Sequence, residues 1–105
     1  MLRRTTSVLL AVALWILASP VFSEGNAEAG RDKAETCLGC HGIKGYFNVY
    51  PTYRVPKLGG QGAKYIQTAL KAYQKGTRQH LTMHANAENL SDQDIADIAA
   101  FLENY

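Results

Sequence analysis

The sequence predicts an all-α domain with long loops wrapped around something other than its own side chains. Three observations predict it. Two segments carry helical apolar periodicity, Ala63–Lys75 and Ser91–Leu102. No stretch reads as a convincing strand. The loops between the helices are long for so short a chain, and long loops in a small domain usually enclose something.

The first element precedes the fold. Met1-Leu2-Arg3-Arg4 is basic, Val8–Ala18 is apolar and uncharged, and Ser19-Pro20-Val21-Phe22-Ser23 ends on small residues at the −3 and −1 positions. That order is the n-, h- and c-region of a secretory signal, cleaved before Glu24. The apolar run falls well short of the roughly 20 residues a membrane span needs, and Pro20 interrupts it. The reading is residues 1–23 as a signal and 24–105 as one domain, with no stable membrane insertion after cleavage.

Within that domain, Ala27–Thr36 reads as a short helix leading into Cys37. Tyr46–Pro56 reads as loop, because Pro51 and Pro56 break any long regular element. Lys57-Leu58-Gly59-Gly60-Gln61-Gly62 is a glycine-rich turn. Ala63–Lys75 is an amphipathic helix with Tyr65, Ile66, Ala69, Leu70 and Tyr73 on one stripe and Gly76 as its C-cap. Thr77–Leu90 reads as a second loop, holding His80, Met83 and His84. In the last helix Ser91 is the N-cap and Asp94 the N3 partner, before Ile95, Ile98, Ala99 and Leu102 at core spacing.

Charge is segregated along the chain. From Thr36 to Ala87 there is no acidic residue, but Lys44, Arg54, Lys57, Lys64, Lys71, Lys75 and Arg78 are basic. The flanking segments are acidic, and the formal net charge of +2 for the whole chain is too mild to imply a nucleic-acid partner. A basic middle fits steering toward an acidic protein surface.

A domain this small buries only about 60–65% of its unfolded surface and needs a staple. Exported chains commonly use disulfides, but the two cysteines lie three residues apart and would close a trivial loop. Cys37-Leu38-Gly39-Cys40-His41 is instead C-x-x-C-H, the c-type haem attachment pattern. Two thiols add to the two vinyl groups on one porphyrin edge, and the adjacent imidazole reaches the iron. A thiol-exchange pair would want a βαβ context, and zinc would need two further ligands with no cysteine left to supply them. On the far side of the iron, spacing leaves His80, Met83 and His84 open as ligands.

From Ala29 to Tyr105 the chain resembles short class I bacterial cytochromes c, in particular the single-haem units found doubled in dihaem relatives. The resemblance rests on Ala29-Gly30, Cys37-x-x-Cys40-His41-Gly42, Pro56-Lys57-Leu58-Gly59-Gly60-Gln61, Tyr65-Ile66, Leu70, Tyr73, Gly76-x-Arg78, and Met83-x-x-x-Ala87-x-x-Leu90-Ser91-Asp92-x-Asp94-Ile95-Ala96. It implies three main helices with long loops around one covalently bound haem c. It also implies His41 as proximal and Met83 as distal iron ligand, and a Pro56 carbonyl that accepts the His41 Nδ1 proton. Gly30 is implied to let the first helix cross the last near Ile98, Ala99 and Leu102.

The departure from the pattern is the aromatic stretch Gly45–Arg54, where the family often has a shorter segment. Tyr46, Tyr53 and Arg54 are candidate haem-edge or propionate contacts there. The implied activity is periplasmic one-electron transfer between protein partners, with a respiratory or dehydrogenase donor and an oxidase or reductase acceptor. A dedicated subunit of an oxidoreductase complex, and a gas-binding or catalytic haem protein with Met83 displaced, are the alternatives.

Overall fold

The last helix organises the fold, because its buried face is the longest among the described residues. The computed structural model describes residues 24–105, so the signal-peptide reading of 1–23 lies outside the described residues. The elements in order are α1 (Ala27–Lys33), α2 (Glu35–His41), β1 (Phe47–Val49), β2 (Thr52–Arg54), α3 (Ala63–Lys75), α4 (Leu81–Ala87) and α5 (Asp92–Glu103). Helix α5 packs against α1 and α3, and α3 packs against α4. Ile95, Ile98 and Leu102 of α5 are buried together with Ala34, Ile66, Leu70, Ala87 and Ala99.

Helix α5 starts where the capping box predicts. The Ser91 hydroxyl accepts from the Asp94 amide, and the Asp94 carboxylate accepts from the Ser91 amide, both at 3.0 Å. Helix α3 has the expected bounds and ends at Gly76, whose φ of +78° is a left-handed cap that glycine adopts without strain. Its buried stripe differs from the expected one at Tyr65, which is 55% exposed, while Gln67 is buried.

The helix expected over Ala27–Thr36 is divided at Ala34 and continues through His41. Hydrogen bonds from Ala34 N to Gly30 O and from Leu38 N to Ala34 O carry the helical register across the break. Asn26 caps α1, its side-chain oxygen accepting from the amides of Glu28 and Ala29.

Two segments read as loops contain regular structure. Phe47–Val49 and Thr52–Arg54 form a two-stranded antiparallel hairpin, in register Phe47↔Arg54, Asn48↔Tyr53 and Val49↔Thr52. Pro51 does exclude a long strand, but it sits in the turn between two short ones, where it removes no ladder donor. Thr77–Leu90 contains α4, with His80 as its N-cap. Seven residues are too few to be helical on propensity, so α4 depends on what holds it. Gln74 of α3 donates to the carbonyls of Ala87 and Leu90, at 2.9 and 2.7 Å, fixing its C-terminal end.

The α1–α5 crossing needs Gly30. A Cβ there would lie 1.9 Å from the Asp97 carbonyl oxygen, so only glycine permits this approach. The contact falls at Asp97 and Phe101, beside the residues the resemblance pointed to. Around it Lys33 bridges Asp94 at 2.8 Å and Asp97 at 2.7 Å. Asp97 also accepts from the Asn26 amide and from Gln93, which explains how a carboxylate is tolerated at 3% exposure. The Asn26 amide, then Lys33, holds the Asp97 carboxyl at about 2. Lys33, then Ser91, does the same for Asp94.

Candidate haem site

Helix α2 carries the attachment motif and contributes no fully buried residue, so its side chains remain available on the surface of the domain. Cys37 is half-buried, Cys40 is exposed, and both thiols are free. Burial pushes the Cys37 thiol up from its ordinary pKa. Gly42 ends α2 tightly against Leu38, since a Cβ there would lie 2.6 Å from the Leu38 carbonyl oxygen.

His41, the last residue of α2, is fixed by the loop expected to hold it. Its Nδ1 lies 2.7 Å from the Pro56 carbonyl oxygen. A carbonyl can only accept, so Nδ1 carries the proton and the Nε2 lone pair is left for a metal. The Pro56 loop is anchored in turn through the glycine-rich turn, where the Gly60 amide donates to Leu102 of α5 at 3.0 Å.

The three candidates for the far side lie together at the start of α4, in different surroundings. The His80 Nδ1 accepts from the Met83 amide at 3.3 Å, so this ring is the helix cap. His84 donates from Nδ1 to the Tyr73 carbonyl at 2.8 Å, and its Nε2 faces Glu88 at 3.7 Å. Met83 is half-buried and packs against the core cluster along with Leu38, Leu58 and Tyr73.

The aromatic hairpin reaches the same helix. Tyr53 donates its hydroxyl to Thr82 Oγ1 at 3.2 Å and sets its ring edge-on to His80, with centroids 4.8 Å apart. Tyr46 closes the hairpin, its carbonyl accepting from the Val55 amide at 3.0 Å. Arg54 is exposed opposite Phe47. The structure thus brings Tyr53 to the Met83 helix and leaves Tyr46 and Arg54 on the hairpin itself. Thr82 and Gln74, which hold α4, carry no sequence signal of that role; they emerge only once the hairpin and α3 are in place.

Two thiols on one helix, an imidazole with its Nδ1 satisfied, and a thioether that packs against the same core cluster as Leu38 and Leu58 are a donor set that would suit a covalently held, apolar haem. Among the described residues no group of three or more His, Cys, Asp or Glu is placed to hold a metal ion. No helix among them is long and apolar enough to cross a membrane.

Comparison with known proteins agrees. The family model for cytochrome c matches residues 27–105. Cytochrome c-554(548) of Halomonas halodenitrificans is 46% identical over 80 residues, covering 73% of this chain and 93% of that protein. Cytochrome c4 of Pseudomonas aeruginosa is 42% identical over 95 residues, covering 90% of this chain but 44% of the relative. The crystal structure of reduced cytochrome c4 from Pseudomonas stutzeri superposes with a TM-score of 0.59 at 27% identity, over 78% of this chain and 52% of that one. This chain thus spans about half the length of the cytochromes c4 it matches. It belongs to the cytochrome c family, as a class I domain with one covalently bound haem c, a haem-based one-electron transfer role and a resemblance to one half of a dihaem cytochrome c4.

Proposed function

We propose that the chain is a periplasmic one-electron carrier, exported by residues 1–23, that takes electrons from a respiratory or dehydrogenase donor and passes them to an oxidase or reductase. Cys37 and Cys40 hold the haem by thioether bonds, His41 is the proximal ligand and Met83 the distal one. When bound, the haem supplies the Fe(III)/Fe(II) couple, and a histidine–methionine pair favours the reduced state relative to two nitrogen ligands.

The observation that carries this reading is the 2.7 Å contact between His41 Nδ1 and the Pro56 carbonyl. It fixes the ring orientation and tautomer, and it raises the basicity of Nε2. His80 accepts the Met83 amide at Nδ1, so its proton sits on Nε2, whereas His84 donates from Nδ1 and keeps an Nε2 lone pair as His41 does. The choice of Met83 rests on the cytochrome c resemblance and on its half-buried place against the core. Tyr46, Arg54 and the Tyr53 ring are proposed contacts of the haem edge.

The protein's part would be to hold the haem through Cys37, Cys40, His41 and Met83 and to present one edge of it to a partner. The basic run from Lys44 to Arg78 favours encounter with an acidic partner surface, at rates that fall as salt rises. A second reading, a dedicated subunit of a periplasmic oxidoreductase, is favoured by the exposed hairpin residues Phe47, Val49 and Tyr50, at 54%, 85% and 92%.

Absorption spectra of the haem-loaded protein in both redox states test the ligand set. Low-spin c-type spectra are expected, with the weak long-wavelength thioether-to-ferric band that Met83→Ala abolishes. A high-spin ferric spectrum in the wild type, or a band indifferent to Met83→Ala, contradicts it and points to ligand binding or catalysis.

A further inference from the structure

Helix α4 presents a difficulty: it is one of the shortest helices in the molecule, yet the proposed function asks it to hold a ligand in register. Its N-cap is a histidine, an unusual choice where serine, threonine, aspartate and asparagine lead. The His80 Nδ1 accepts from the amide of Met83 itself, at 3.3 Å. The residue that would bind iron through its side chain is therefore the residue whose backbone the cap secures.

The His80 ring is in turn held from two directions. Tyr53 of the hairpin meets it edge-on at 4.8 Å and Tyr73 of α3 at 6.4 Å. Tyr73 lies under the Arg78 guanidinium, 5.0 Å from its centroid, and Arg78 also bonds the Tyr65 hydroxyl at 3.2 Å. Tyr53 has a second hold on the same turn through Thr82 Oγ1, one residue before Met83. Both of the Tyr53 holds, on His80 and on Thr82, come from the hairpin.

We propose that His80 and Tyr53 are positioning residues for the distal methionine, His80 by capping the Met83 amide and Tyr53 by clamping His80 and Thr82 from the hairpin. The inference rests on the reading of Met83 as the distal ligand. Its consequence is that the aromatic hairpin sets how readily the distal position opens. Without the clamp, the Met83 turn frays and an outside ligand competes for the iron more effectively.

The test is the equilibrium binding of imidazole to the haem-loaded ferric protein, read beside hydrogen exchange at the Met83 amide and the urea midpoint. His80→Ala is expected to tighten imidazole binding about fivefold, the effect of a lost helix cap, and to speed Met83 exchange. His80→Asn, which restores a capping acceptor, should recover most of the difference. Tyr53→Phe keeps the ring and loses only the hydroxyl; it should tighten binding about twofold, and Thr82→Val should reproduce it.

A lower urea midpoint with unchanged imidazole affinity in His80→Ala and Tyr53→Phe would overturn the proposal, leaving these residues as general packing. So would a Tyr53→Phe effect that Thr82→Val does not share, which would place the hydroxyl's action elsewhere. If the wild type lacks the thioether-to-ferric band, the distal-methionine reading fails first, and this inference with it.

Discussion

The α1–α5 crossing and the hairpin–α4 side of the domain are built in opposite ways. At the crossing, Gly30 admits the Asp97 backbone, Lys33 bridges two carboxylates, and α5 buries Ile95, Ile98 and Leu102. On the other side, α2 buries no residue completely, and α4 buries only Ala87. The hairpin there exposes Phe47, Val49 and Tyr50. One region is completed by its own side chains. The other is a set of short elements tied by hydrogen bonds, which is what a fold looks like where a cofactor supplies the core.

Removing the attachment breaks that comparison most severely. In Cys37→Ala/Cys40→Ala, most of the helical circular dichroism should be lost, since so small a domain has little core to spare. Any amide protection that survives should lie in α1 and α5. Protection persisting equally in the hairpin and α4 would contradict the division.

Two helical glycines sharpen it further. Gly30→Val places side-chain atoms against the Asp97 carbonyl and should cost about 3 kcal/mol or more in urea unfolding. Gly39, between the two cysteines, has no atom within 4 Å of an added Cβ. Gly39→Ala should therefore be neutral, or stabilise by up to about 1 kcal/mol through helix propensity.

Acid should act through the crossing. Asp94 and Asp97 are both held at about 2, below the ordinary aspartate value of 3.8. Depressed carboxylates contribute stability that is complete above their unfolded pKa and lost as pH falls through the folded one. The urea midpoint should thus decline between about pH 4 and pH 2, and Asp97→Asn should flatten that decline while lowering the midpoint at neutral pH. A smaller effect is expected of Ser91→Ala, about 1 kcal/mol from the lost cap of α5.

The division also explains what the sequence made legible. Helix α3, Gly76 and the Ser91–Asp94 box were readable because periodicity and capping act over a few residues. The Cys37–His41 motif was readable because its spacing follows the chemistry of one cofactor, whereas spacing left His80, Met83 and His84 open and only the family resemblance singled out Met83. The hairpin and α4 were not, because they depend on contacts far apart in the chain: Tyr53 to Thr82, and Gln74 to Ala87 and Leu90. Asp97 was equally hidden, since an aspartate inside a helix pattern reads as solvent-facing until Lys33 and Asn26 fold over it.

As proposed, this domain moves single electrons through one haem held by His41 and Met83. A potentiometric titration of the haem-loaded protein, followed in its absorption spectrum, tests it most directly. A single one-electron wave is expected, from one haem per chain that is low-spin on both sides, with a potential that falls when Met83 is replaced by histidine. Multiple waves, or a potential unmoved by that substitution, would contradict it.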